Sequence, residues 1–235
     1  MLVNILIKRQ ENSKTEPYIQ VIPFDCAMHE SVSILLEKLN TTVGLQDVDH
    51  KPVRKINWEC SCNQKKCGAC AMIINHVPRL ACNTFIRDVI DENQCLYLEP
   101  LSKFPVISDL KVDRSILYEN LKEMKLWLEN QEKESEHQNL LRYQAAKCLM
   151  CGCCLEICPN FLPNGKFTGA AVVPITFGVL KQQDLDVHKK EVRNKYKKYF
   201  YEGCGDSLAC KDVCPMNLPM DELLVRTNSL VLWRK

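Results

Sequence analysis

The fifteen cysteines of this 235-residue chain constrain it more than any other feature, because all but Cys26 and Cys95 crowd into three short groups. The groups run from Cys60 to Cys82, from Cys148 to Cys158 and from Cys204 to Cys214. Such density fits either a disulfide-stapled secreted domain or a set of metal sites, and the compartment decides between them. The chain opens "MLVNILIKRQ", which alternates like a strand and has neither the apolar core nor the cleavage site of a signal peptide. Arg- and Ser-rich transit character is also missing, and no apolar run approaches the length of a membrane span. A reducing compartment is therefore expected, and with it metal ligation rather than disulfides. A formal net charge of +2 gives no bulk field for nucleic acid.

Within the first group, Cys62-x4-Cys67-x2-Cys70 is followed by Cys82 in "CSCNQKKCGACAMIINHVPRLAC". That is the plant-type 2Fe–2S spacing, in which a tight loop supplies three thiolates and a separate strand brings the fourth. The bareness of Gly68 and Ala69 lets backbone N–H groups approach the inorganic sulfides. Tetrahedral zinc usually takes two close cysteine pairs, and only one is present here. A Rieske centre needs histidine ligands, and none follows a cysteine at short spacing. Cys60 would stretch the first gap and reads as a bystander.

The second group, "CLMCGCCLEICP", is a complete C-x2-C-x2-C-x3-C-P ferredoxin run. The third, "CGDSLACKDVCP", fits the same template except that Ser207 fills the second cysteine slot. In two-cluster ferredoxins the last cysteine of each run ligates the other cluster. Crossing over in that way gives a 4Fe–4S cluster on Cys148, Cys151, Cys154 and Cys214. Cys158, Cys204 and Cys210 remain for a second cluster, with Ser207 at its fourth corner. Serine is a poor iron ligand at neutral pH, so the economical reading is a 3Fe–4S cluster. The alternatives are Ser207 binding a fourth iron, or Cys153, Cys95 or Cys26 replacing it.

Between the cysteines the patterning changes once. Before residue 104 "LVNILIK", "YIQVIPF" and "CLYLEPL" read as strands, and "AMIINHVPRLAC" as two strands about a turn at Asn75–Pro78. One helix interrupts them: Val32, Leu35, Leu36 and Leu39 share a face, and Gly44 marks its stop. The result is a small α+β domain over residues 1–105. A joint lies in "FPVISDLKVDRS", and residues 106–235 read as helical between cysteine groups. There Asp113 is expected to cap a helix whose apolar stripe is Leu117, Leu121, Met124 and Leu128. The polar stretch "ENQEKESEHQ" reads as a solvated helix end or loop. The basic run "HKKEVRNKYKKYF" reads as a solvated helix face, with lipid headgroups or an acidic partner surface as the functional alternative.

The whole pattern resembles the iron–sulfur subunit of succinate dehydrogenases and fumarate reductases. The resemblance is carried by "CGACAMIINHVPRLAC", "FPVISDLKVD", "CLMCGCCLEICP" and "CKDVCP", and runs nearly end to end. It implies a plant-ferredoxin-like β-grasp domain followed by an all-α, bacterial-ferredoxin-like domain with two clusters. It also implies a flavoprotein partner carrying FAD and the dicarboxylate site, a membrane anchor subunit, and a quinone near the 3Fe–4S cluster. The chain would then sit peripherally on the cytoplasmic face of a prokaryotic membrane.

Two departures bear on the quinone. Ubiquinone-reactive members carry tryptophan after the first C-P, where this chain has "CPNFLP", and histidine where it has Gly205. "CLEICPN" and "FTGAA" look more like menaquinone-linked versions, with Pro159, Phe161 and Leu162 as candidate quinone or anchor contacts. No G-x-G-x-x-G fingerprint and no activated nucleophile are present, so the implied role is conduction of electrons rather than bond-making. A soluble flavoprotein reductase for another organic acid or a thiol donor, without a quinone, is the alternative.

Overall fold

The structure is a computed structural model that describes residues 1–127, 139–182 and 186–233. Its chain divides into two compact units, Met1–Asp113 and Arg114–Lys235. Leu128 and the polar stretch 129–138 lie outside the described residues.

The first unit is built on a mixed five-stranded sheet in the order β2-β1-β5-β3-β4. Strands β1 (Leu2–Arg9) and β2 (Tyr18–Asp25) form an antiparallel hairpin, and helix α1 (Val32–Thr41) follows. Alternation in β1 sends Val3, Ile5 and Ile7 into the core, where each is fully buried. The helix answers with its expected stripe, since Val32, Leu35, Leu36 and Leu39 are all buried. Ser31 caps it by accepting from the Ile34 N–H. Strands β3 (Ala71–Ile74) and β4 (Val77–Leu80) form a second hairpin, and β5 (Cys95–Glu99) inserts parallel to β1.

Two prolines sit inside strands, Pro23 opposite Asn4 and Pro78 opposite Ile73. Both belong to the outermost strands of the sheet, where a missing N–H interrupts no inner ladder and blunts a sticky edge. The turn expected over Asn75–Pro78 is accordingly shorter. Only Asn75 and His76 lie between the strands, both with positive φ, as a two-residue hairpin turn requires. Asn75 also accepts from the Tyr97 N–H and donates to Val89 O, tying the turn to β5.

A short hairpin of β6 (Val106–Ser108) and β7 (Lys111–Val112) closes this unit. The residues after 105 therefore belong with the sheet, and the division falls after Asp113.

The described residues of the second unit form helices α2 (Ser115–Glu123), α3 (Asn139–Ala145), α4 (Cys153–Ile157), α5 (Val172–Leu180), α6 (Asp186–Tyr199), α7 (Ala209–Asp212) and α8 (Met220–Leu232). The first of these begins one residue later than expected. Arg114 occupies the N-cap position of α2 without a side-chain cap bond, and the preceding Asp113 N–H donates to Pro105 O. Leu117, Met124, Val173, Phe177, Val192, Tyr196, Phe200, Leu223 and Leu224 are all buried, and Leu121 packs against this core. Helix α6 carries the basic run and turns His188, Val192 and Tyr196 inward at i, i+4 and i+8. Several of its cations have partners: Lys195 pairs with Glu123 at 2.9 Å, Arg193 Nε donates to Leu230 O, and Lys198 lies over the Tyr199 ring.

Gly169 shows how tightly the cysteine-bearing helix is held. Its φ is +74°, and a Cβ there would stand 2.9 Å from Leu155 on α4 and 3.2 Å from the Phe161 ring. Only a bare residue fits both the backbone and the space. Among the described residues, no helix is long and apolar enough to cross a membrane.

Candidate iron–sulfur centres

Between Cys62 and Cys70 the chain makes a tight loop with positive φ at Asn63, Lys65 and Gly68. This curvature points consecutive N–H groups inward, forming a concavity that favours anions. Gln64 and Lys66 donate to Cys62 Sγ at 3.3 and 3.2 Å, and the Lys65 N–H donates to Cys82 Sγ at 3.4 Å. Cys70 precedes β3, and Cys82 follows β4 in a 3₁₀ turn, so the hairpin returns one to the other. The Cys82 N–H reaches Cys70 Sγ at 3.5 Å. Cys67 lies within hydrogen-bond reach of Cys62. The loop and the hairpin thus bring Cys62, Cys67, Cys70 and Cys82 together.

Their thiols are not equivalent. The N–H groups of Gln64 and Lys66 pull Cys62 down to about 7, whereas burial drives Cys70 up to about 12. Cys60 stands beside the group, and its thiol donates to Asn63 Oδ1 at 2.7 Å.

In the second unit the cysteines line two cavities against the helical core. The first is bounded by Cys148, Cys151, Cys154, Cys210 and Cys214, with Met150, Pro174, Pro215 and Met216. Burial raises Cys148 to about 11, and neighbouring Cys151 and Cys214 push the same way. Cys154 is driven well up by burial, then by Cys151, Cys148, Cys210 and Cys214. Cys214, from the last run, thus stands among the cysteines of the second group. Cys153 is fully buried on α4 and contacts Cys151, which that contact lowers to about 7.

The second cavity is bounded by Cys158, Cys204, Cys210 and Ser207, with Asn160, Phe167, Gly205 and Asp206. Burial lifts Cys210 to about 11, reinforced by Cys204 and then Cys158. Cys158 of the second group thus joins the third. Cys210 lines both cavities.

Several thiols crowded into apolar walls repel one another when ionised, and a cationic core removes that penalty. The donor set therefore suits iron–sulfur clusters. Among the described residues, no three His, Cys, Asp or Glu side chains close on a single metal ion; the cysteines surround cavities instead.

Cys26 and Cys95 belong to the first unit and have local partners, Met1 O at 4.0 Å and Asn93 O at 3.6 Å. The three residues expected to contact a quinone or anchor differ in exposure, and Phe161 is the buried one. It is buried beside Gly169 and offers no surface, while Pro159 and Leu162 stay exposed. The sequence reading also missed Asn160. Its Nδ2 donates to Gly203 O at 2.8 Å and would stand 3.0 Å from any Cβ at Gly205. The signal available was a lone polar residue after C-P, facing a glycine in the third run.

Comparison with known proteins gives the same two parts. Residues 4–119 match the family model of a 2Fe–2S iron–sulfur cluster binding domain, and residues 144–218 that of a 4Fe–4S dicluster domain. The succinate dehydrogenase iron–sulfur subunit of Bacillus subtilis is 30% identical, across 96% of this chain and 91% of that protein. The fumarate reductase iron–sulfur subunit of Wolinella succinogenes is 27% identical, across 89% and 88%. In fold, a chain of the Mycobacterium smegmatis Sdh1 complex in the apo form superposes with a TM-score of 0.77 at 20% identity, covering 100% of this chain and 97% of that one. This chain belongs to the family of succinate dehydrogenase and fumarate reductase iron–sulfur subunits.

Proposed function

We propose that the chain relays electrons between the FAD of a partner flavoprotein, which handles succinate or fumarate, and a membrane quinone of the menaquinone type. Cys62, Cys67, Cys70 and Cys82 hold a 2Fe–2S cluster. Cys148, Cys151, Cys154 and Cys214 hold a 4Fe–4S cluster. Cys158, Cys204 and Cys210 hold a 3Fe–4S cluster whose open corner faces Ser207. When bound, the clusters supply one-electron carriers in series. The chain's own residues fix the carriers and tune them. N–H groups at Cys62 and Cys82 stabilise negative charge in the first site, and the apolar core packs against Cys148, Cys154, Cys204, Cys210 and Cys214 in the other two.

The observation that carries this reading is the cavity that Ser207 shares with Cys158, Cys204 and Cys210, since a serine in place of a fourth thiol supports a site with one iron fewer. Membership of the family supports the flavoprotein and anchor partners, and with them a peripheral position on the cytoplasmic face of the membrane. Gly205, and the absence of tryptophan after Pro159, support a menaquinone-type acceptor. Pro159 and Leu162 remain as exposed contacts for the anchor or quinone.

Electron paramagnetic resonance on the complex purified with its partners tests the proposal. The air-oxidised form should give a near-isotropic three-iron signal, and dithionite a reduced 2Fe–2S signal. Absence of the oxidised signal refutes the three-iron site.

A further inference from the structure

Cys158 and Cys204 come from different cysteine runs, and one side chain joins the segments that carry them. Asn160 follows the Cys158–Pro159 pair, in a turn that the Phe161 N–H closes on Cys158 O at 3.3 Å. Its Nδ2 donates to Gly203 O at 2.8 Å. That carbonyl belongs to the same planar peptide as the Cys204 N–H, which donates to Phe200 O at 3.0 Å. The peptide entering Cys204 is thus held at both ends, by Asn160 on one side and by the residue after α6 on the other.

The same segment accounts for the glycines on either side of Cys204. Neither Gly203 nor Gly205 has the positive φ that would demand glycine. A Cβ at Gly203 would stand 2.6 Å from the Phe167 ring, and one at Gly205 would stand 3.0 Å from Asn160 Nδ2. Close approach, rather than backbone conformation, keeps both positions bare. Asn160, Phe167 and Gly205 border the cavity together with Cys158 and Cys204. Asn160 is itself exposed, so water competes for its bond and the fold gains little stability from it. What the bond fixes is a direction, because the peptide before Cys204 sets where that side chain points.

Resting on the three-iron reading above, we infer that Asn160 is a positioning residue for that centre, locking the loop of Cys204 to the turn of Cys158 so that both thiolates meet the cluster at a fixed separation. No covalent bond changes and no proton moves. Without the amide, the Gly203 carbonyl turns to water and the loop loosens on its outer side. Reduction adds negative charge to a cluster, and water stabilises that charge, so loosening raises the potential. Gly205 belongs to the same device, since a methyl group there would push the amide off its carbonyl.

The test is a redox titration of the complex purified with its partners, followed at the oxidised three-iron signal, with the 2Fe–2S signal as an internal control. Asn160→Ala should raise the midpoint potential of the three-iron centre and broaden its signal, leaving the 2Fe–2S signal unchanged. Gly205→Ala should shift the potential in the same direction. In the double variant the two changes should not add, because Gly205→Ala acts only by displacing Asn160. An unmoved potential in Asn160→Ala, a Gly205→Ala variant indistinguishable from native, or shifts that add in the double variant overturn the inference alone. A native complex with no three-iron signal overturns the underlying reading and this inference with it.

Discussion

Arg9 and Asp109, a hundred residues apart, form a paired hydrogen bond with no solvent exposure on either side chain. Nε donates to Oδ1 at 3.0 Å and Nη2 to Oδ2 at 3.2 Å. Arg9 also donates to Gln20 Oε1 and to the carbonyls of Arg54 and Lys55, while Asp109 accepts from the Gln10 and Asn57 N–H groups. The end of β1, strand β2, the segment before Cys60 and the closing hairpin are thus bound at one point. Removing one member leaves a buried charge without its partner. Asp109→Ala is expected to lower stability by about 3–5 kcal/mol, read by denaturant unfolding followed at the 2Fe–2S absorbance. Arg9→Met combined with Asp109→Leu should cost less than that.

Ser207→Cys should supply the missing thiolate. The expected outcome is a four-iron second cluster with a lower potential and loss of the oxidised three-iron signal. Iron analysis should rise in parallel, and an unchanged oxidised spectrum would refute the crossover assignment.

Gly169→Ala has neither the backbone nor the room it needs, since its Cβ would press on Leu155 of α4 and on Phe161. Overpacking of this kind costs about 1–3 kcal/mol. The displacement would reach Cys153 and Cys154 on the same helix, so the four-iron signal should broaden or fall while the 2Fe–2S signal stays unchanged.

Asp47 makes the first unit acid-sensitive. Its carboxylate is held below the ordinary 3.8, chiefly by the Gln20 amide and then by the N–H groups of Lys51 and Asp49. A lowered folded pKa gives stability that is present above the unfolded value and lost as pH falls through the folded one. Stability should therefore decline below about pH 4, and Asp47→Asn should flatten that decline in unfolding curves taken across the range.

Cys26→Ser and Cys95→Ser should leave the iron content and all three spectra unchanged, because each thiol has a local backbone partner in the first unit. Loss of a cluster in either variant would revise the ligand sets.

Much of this was legible in local order. The α1 stripe, the strand runs and the cysteine spacings are short-range patterns, and the chain folds as they direct. Pro78 misled because a proline reads as a turn until the sheet order shows that its strand is an edge. Asp113 looked like a cap, but the closing hairpin runs up to Val112 and the helix starts one residue later than that reading places it. The Arg9–Asp109 pair, the burial of Phe161 and the fit of Asn160 against Gly205 depend on residues far apart in sequence, where no period or spacing reports them.

Because Cys210 borders both cavities of the helical unit, as Ala170 does, the two cavities have part of a wall in common. No replacement of Cys210 can be confined to a single centre. Any adjustment of one carrier made there is felt by its neighbour, so the pair must be tuned as a unit.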